Sequence, residues 1–242
     1  MKIVAIVQAR MGSKRLPMKM SMEIGGFPLI DWVLRRTKES KIITKIVLAT
    51  SVREENNYLV DRARMVGVDY FQGDEKNVLS RFESIVLVEK PDYIVRICGD
   101  NPLITGTEID RCVEFCINGD YDYTFNHIPA MGNLYVDGVG TEVMTIKTFN
   151  RIIQNARTSD HFEHVTKYIF ENWDDFKAIT FSAPKELAYP DFSLDVDTYD
   201  DFETIKDNIY SFFQKSHFLK PENLDVKEFV SFLVKNKVFK EI

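Results

Sequence analysis

Cysteine is scarce, with three in 242 residues. Cys98, Cys112 and Cys116 cannot all pair, and none stands in a CxxC or Cys/His array, so a disulfide scaffold and a zinc ribbon are both excluded. No stretch approaches the roughly 18 uninterrupted apolar residues of a membrane helix. The N-terminal MKIVAIVQAR meets charge too early for a secretion signal. Internal repeats, low-complexity tracts and linkers are missing, and a net charge of −6 argues against a general nucleic-acid binder. These absences predict a cytoplasmic protein that works on neither nucleic acid nor membrane. The 45% hydrophobic and 12% aromatic content is ample for a buried core.

One absence is local. From Met1 to Met22 the chain has five cations (Lys2, Arg10, Lys14, Arg15 and Lys19) and no acid, Glu23 being the first carboxylate. An acidic protein that opens on a purely cationic segment has a local means of attracting an anion.

The pattern alternates strand and helix. Lys2–Gln8 is a β-branched run expected of a strand covered on both faces. Pro28–Ser40 predicts a helix with proline in its first turn. Lys45–Thr50 predicts a strand, Glu54–Val66 a helix ended by Gly67, Val68–Phe71 a short strand, and Val78–Lys90 a helix. Tyr93–Cys98 predicts a fourth strand, and Glu108–Ile117 a helix. This βαβα order implies an α/β fold with a mostly parallel sheet and ligands beyond the carboxyl ends of its strands. The second half is less regular. Strands are expected at Tyr121–Asn126, Val139–Ile146, Lys177–Ser182 and Phe192–Val196, the last completing the sheet. Helices are expected at Thr148–Ala156, His161–Asn172, Tyr199–Phe213 and Val226–Lys237. The whole reads as one domain, 1–242, with a small inserted lobe at about 126–182.

Four constellations carry chemistry. The first is the loop Gln8-Ala9-Arg10-Met11-Gly12-Ser13-Lys14-Arg15-Leu16-Pro17-Met18-Lys19, directly after the first strand. Gly12 and Ser13 lack bulk, so backbone N–H groups can approach an oxyanion. Arg10, Lys14, Arg15 and Lys19 could together offset a triphosphate's charge. The loop fits neither GxxxxGK[ST] nor GxGxxG, and a solvated basic loop is the alternative. The second is Gly99-Asp100-Asn101-Pro102 at another strand end, where Asp100 could bind Mg²⁺ or simply belong to a turn. The third is Asp195-Val196-Asp197, whose two carboxylates share one face if the segment is a strand; capping of the Tyr199 helix is the other reading. The fourth is His161-Phe162-Glu163-His164, whose histidines lie one helical turn apart but lack further zinc ligands.

These residues resemble a family. Ala9 to Lys19 is similar to the signature of the cytidylyltransferases that activate sugar acids, the Kdo and sialic-acid CMP-transferases. The spore-coat polysaccharide F-type branch is resembled further by Gly73 to Phe82 and by Val95 to Leu103. Asp137-Gly138 through Glu142-Val143, Glu163 to Thr166, and Asp197 to Asp201 extend the match. Two positions depart from it: Cys98 stands where Kdo-type enzymes carry a Gln that helps read cytosine, and Asn77 where the branch commonly has Asp.

The resemblance implies a Rossmann-like nucleotidyltransferase fold of three layers and a reaction that transfers a nucleotide from CTP to an acceptor with release of pyrophosphate. It assigns nucleotide binding to Gln8, Ala9, Arg10, Gly12, Ser13, Lys14, Arg15, Lys19, Arg81 and Gly99. Lys14, Arg15, Lys19 and Asp100 would serve catalysis, and Asp100, Asp195 and Asp197 would hold Mg²⁺. Glu142, His161, Glu163 and His164 are expected to orient a small-molecule acceptor, and relatives imply a homodimer through the 126–182 region. Two rivals stand beside this reading. A glycosyltransferase would use Asp195-Val196-Asp197 as a DxD metal motif, but it does not ordinarily open on so dense a cationic loop. A non-catalytic nucleotide-binding relative would not need to retain Arg10, Lys19, Asp100 and Asp197.

Overall fold

The computed structural model describes residues 1–214 and 219–236. Strand β1 (Ile3–Gln8) sits in the middle of the sheet. Ile3, Ala5 and Val7 pack into one apolar layer and Val4 and Ile6 into the other, each no more than 2% exposed. A strand apolar over five successive residues is stable only between two covering layers. Burying each of the valine and isoleucine side chains contributes roughly 1.5–3 kcal/mol.

The chain leaves β1 through the cationic loop and a small hairpin of β2 (Glu23–Ile24) and β3 (Phe27–Pro28). It then runs through α1 (Leu29–Thr37), β4 (Lys45–Ser51), α2 (Asn57–Val66), β5 (Asp69–Gly73), α3 (Val78–Glu89), β6 (Tyr93–Cys98) and α4 (Gly106–Asn118). Local chemistry sets the helix limits. Gly67 ends α2 in the left-handed region at φ 72°. Asn77 caps α3 by accepting from the Ser80 N–H at 2.9 Å, and Thr105 caps α4 in the same way.

The remaining sheet strands are β7 (Tyr123–Phe125), β8 (Glu142–Thr145) and β9 (Ala178–Thr180). The sheet order is β5-β4-β1-β6-β8-β7-β9, and β8 alone runs against the others. Helices α1, α2, α4, α8 (Tyr199–Phe212) and α9 (Val226–Lys235) cover one face, while α3, α5 (Ile146–Asn155) and α7 (Lys167–Glu171) cover the other. The result is the expected three-layer α/β architecture. The chain winds outward from β1 to β4 and β5, then returns to β6 on the far side of β1. That reversal opens a crevice beyond Gln8 and Cys98, which are partners in register.

The second half departs from expectation in three places. Residues 126–182 do not stand apart from the sheet, because β8 and β9 are members of it. The helix expected over His161–Asn172 is broken into α6 (Ser159–Glu163) and α7. The break follows His164, whose backbone is extended, and it drives Val165 fully into the core. Phe192–Val196 is extended but pairs only through one bridge, Asp137 with Ser193. Its backbone donors go to Asp137 O at 2.9 Å and Asp100 O at 2.9 Å, so it ties loops together instead of extending the sheet. The last expected residue of the C-terminal helix, Lys237, lies outside the described residues.

Candidate active site

A cavity of about 430 Å³ opens at the reversal point. The cationic loop forms one wall. Its path is held by the Met11 N–H to Asn56 Oδ1 (2.8 Å) and the Met18 N–H to Met11 O (3.0 Å). Met18 takes the left-handed region at φ 61°, a strained conformation for a residue with a side chain. The next residue, Lys19, is thereby turned inward and is 7% exposed. Its ammonium donates to Val196 O at 2.7 Å, Asp197 Oδ1 at 3.2 Å and Asp100 Oδ2 at 3.3 Å. Arg15 pairs with the second Asp197 oxygen at 2.6 Å. Arg10 reaches Glu163 at 3.2 Å and Glu75 at 3.7 Å. Lys14 and Ser13 complete that wall.

The crossing of the loop over β6 is tight. The Gly99 N–H donates to Gln8 O at 2.9 Å. A Cβ at Gly99 would meet the Ala9 Cβ at 2.8 Å and Gln8 O at 2.9 Å, closer than real contacts allow, so glycine is required there. Gly12 is different: a Cβ there would sit 3.6 Å from Glu75, an ordinary contact, and Gly12 is not among the cavity-lining residues.

Arg81 lines the inner wall with Val78 and Cys98. It is 2% exposed, its Nε has no partner among the described residues, and burial pulls its pKa below the usual guanidinium value. Burial likewise pushes the Cys98 thiol up to about 12, so Cys98 is a neutral wall residue and not a nucleophile. Behind the wall that carries Asp100 and Asp197, further carboxylates crowd. Burial first, and then the neighbouring charges of Asp137, Asp197 and Asp100, push Asp195 up to about 6, against a hydrogen bond from Ser193.

The geometry sets four cations beside a carboxylate pair at an α/β reversal point. The sequence profile of the cytidylyltransferase family matches residues 4–228. The chain belongs to the cytidylyltransferase family. It is 36% identical to an uncharacterised protein of Methanocaldococcus jannaschii over all of this chain and 94% of that one. It is 31% identical to the spore coat polysaccharide biosynthesis protein SpsF of Bacillus subtilis, covering 84% of this chain and 85% of that one. Among solved structures, a cytidylyltransferase of Leptospira borgpetersenii is 28% identical and superposes with a TM-score of 0.86 over 98% of this chain and 95% of its own. The fold is shared more distantly with a CMP-Kdo synthetase complexed with CTP, at 15% identity and a TM-score of 0.64 over 87% of this chain and 99% of its own.

In this cytidylyltransferase, Gln8, Ala9, Arg10, Ser13, Lys14, Arg15, Lys19, Arg81, Gly99, Asp100, Glu163, His164 and Asp197 all line the cavity. Four expected residues do not: Gly12, His161, Glu142 and Asp195. Both nitrogens of His161 are taken: Nδ1 accepts from the Arg157 N–H at 3.1 Å and Nε2 meets Glu171 at 2.6 Å. His161 therefore staples α6 to α7 and is not free to orient an acceptor. Glu142 is 2% exposed and lies under the sheet's end, contacting Arg96, with Tyr123 OH at 2.9 Å and His127 Nε2 at 3.3 Å. Burial works against its charge, yet Arg96 and His127 hold its carboxyl below the ordinary glutamate value. Asp195 bonds to the Ser193 hydroxyl and faces Asp137 behind the cavity wall, because its segment is not the regular strand that would have aimed it with Asp197.

Sequence reasoning missed Glu75, Arg96 and the Val196 carbonyl. Arg96 carried a signal, being the one charge inside the otherwise apolar strand YIVRIC; a main-chain contact such as Val196 O carries none. For a divalent cation, Asp100 and Asp197 already converge on a single positive group, the Lys19 ammonium. Among the described residues no three His, Cys, Asp or Glu side chains gather into a metal-holding set. Two hard carboxylates completed by phosphate oxygens are the arrangement that Mg²⁺ favours.

Proposed function

We propose that the enzyme transfers CMP from CTP to a small acceptor, a sugar acid or phosphorylated sugar, with release of pyrophosphate, in the biosynthesis of a surface polysaccharide. The observation that carries this reading is the reversal-point cavity, where Arg10, Lys14, Arg15 and Lys19 face Asp100 and Asp197. The likeness to SpsF supports the polysaccharide setting, and the family supports CTP as donor.

In the reaction, an acceptor oxygen attacks the α-phosphorus, the bond from that phosphorus to the β-phosphate oxygen breaks, and the electron pair leaves on pyrophosphate. A phosphate oxygen brings no proton, whereas a sugar-acid hydroxyl gives up its proton to solvent. Lys14 and Arg15, both exposed in the loop, are placed to neutralise the β- and γ-phosphates. Lys19, held by two carboxylates and a carbonyl, is fixed in advance and needs no reorganisation as charge develops. Positioning and electrostatics carry most of the acceleration. Asp100 and Asp197 would hold Mg²⁺, which when bound supplies charge neutralisation and alignment of the phosphates. Glu163 and His164, on the opposite lip, would meet the acceptor. The reading includes a homodimer through the 126–182 region and a cytoplasmic setting. Among the described residues, no helix is long and apolar enough to cross a membrane.

The test is pyrophosphate release from each of the four nucleoside triphosphates with Mg²⁺ and a panel of sugar acids and sugar phosphates. Release from CTP with one acceptor class is expected. Turnover of a nucleotide sugar with no triphosphate consumed would overturn the reading.

A further inference from the structure

Gln8 ends β1 and lines the cavity. Its carboxamide has one acceptor and one donor end, and which end faces the cavity decides what it can recognise. Arg96 Nε lies 3.0 Å from Gln8 Oε1. A guanidinium nitrogen only donates, so the atom it meets is the amide oxygen. The Gln8 NH₂ is thus left for the cavity, and no described residue accepts from it.

Arg96 is itself held. Its side chain is 11% exposed and its Nη1 contacts Oε1 of Glu142, whose side chain is 2% exposed. Tyr123 OH donates to the other Glu142 oxygen at 2.9 Å, and His127 Nε2 lies 3.3 Å from the first. A buried ion pair generally adds little stability over an apolar replacement. Placed within YIVRIC, this one reaches a cavity-lining residue through the Arg96 hydrogen bond to the Gln8 amide.

The cations of the loop suit phosphates, whereas a neutral amide beside Ala9, Val78 and the Cys98 thiol suits a neutral ring. Cytosine presents acceptors at O2 and N3; uracil keeps O2 but carries a hydrogen on N3. A fixed N–H donor at that edge fits the first and opposes the second.

We propose that Gln8 reads the O2/N3 edge of the nucleotide's pyrimidine as a donor, with Arg96 and Glu142 as positioning residues that stop its amide from turning over. The inference rests on the cavity taking CTP, as proposed above. The test measures dissociation constants for CTP and UTP, with Mg²⁺, on the full chain and its variants by calorimetric titration, with thermal melting as the check on folding. The wild type is expected to prefer CTP. Gln8→Glu keeps an oxygen for Arg96 but turns the cavity-facing donor into an acceptor, so the CTP-to-UTP affinity ratio should fall at least about tenfold, the value of one well-placed hydrogen bond. Arg96→Met/Glu142→Met removes the buried pair together and frees the amide to turn; the ratio should then approach one while both nucleotides still bind. Wild-type protein that binds CTP without preference, or Gln8→Glu protein with an unchanged ratio, overturns the inference. Failure of the wild type to bind CTP at all counts against the proposed function instead.

Discussion

The two halves of the sheet contribute to the site in different ways. The parallel half, β5-β4-β1-β6, supplies the frame and the cations: two strand ends, the loop from Arg10 to Lys19 with its four cationic side chains, and the crossing at Gly99. The second half, from β7 onward, supplies single side chains from irregular segments: Glu163 and His164 at the end of α6, and Asp197 just before α8. The two meet in ion pairs, Arg10 with Glu163, and Arg15 and Lys19 with Asp197. A regular framework fixes where the cationic loop lies, and an irregular one decides what stands opposite it.

The sharpest challenge to that division is at Lys19, where both halves converge on one ammonium. Lys19→Met should lower the rate of pyrophosphate release by about 10²–10³-fold, with the variant still cooperative on melting. A loss below tenfold would mean that the loop's other cations suffice.

The framework itself is tested by Ile6→Ala, fully buried in β1. It should cost about 2–5 kcal/mol in urea unfolding. The same change at Ile179 of β9, only half-buried, should cost clearly less. Equal losses would erase the contrast between the halves.

Gly99→Ala should weaken CTP binding about tenfold or more, since its methyl meets Ala9 and Gln8 O below 3.0 Å and the crossing must shift. Gly12→Ala, with room for its methyl, should change binding less than threefold, roughly 0.6 kcal/mol.

Acidity provides a subtler comparison. Glu142 has its folded-state pKa below its unfolded value. The stability it contributes is present above the unfolded carboxyl range near 4.3 and is lost as pH falls through the depressed folded value. Glu142→Gln should therefore flatten part of the acid limb of stability, measured by urea midpoints from pH 7 downward. The smallest effect is expected at Glu163, whose side chain is 50% exposed. Glu163→Gln should change stability by less than about 1 kcal/mol.

The same contrast explains what the sequence revealed. β1, β4 and β6 were legible within a residue because continuous β-branched runs between turn signals have few other solutions. The cationic loop was legible because four cations without an acid is a local property, and strand order placed it at the sheet's carboxyl edge. The break at His164 was not legible: Val165 is fully buried in the core layer it shares with Phe82 and Phe125, a tertiary fact. His161 and Glu142 looked available for an acceptor, since a sequence shows which groups can bind but not which are already engaged. Asp195 was placed by assuming a regular strand, and a single bridge at Ser193 is too little pairing to impose alternation.

The position of a bound nucleotide is the decisive observation. Crystals grown with CTP and Mg²⁺ should show the triphosphate against residues 10–19, with its phosphates reached by Lys14, Arg15 and Lys19 and its base beside Gln8 and Arg81. A nucleotide bound elsewhere on the chain, or in the cavity with its phosphates turned away from that loop, would contradict it.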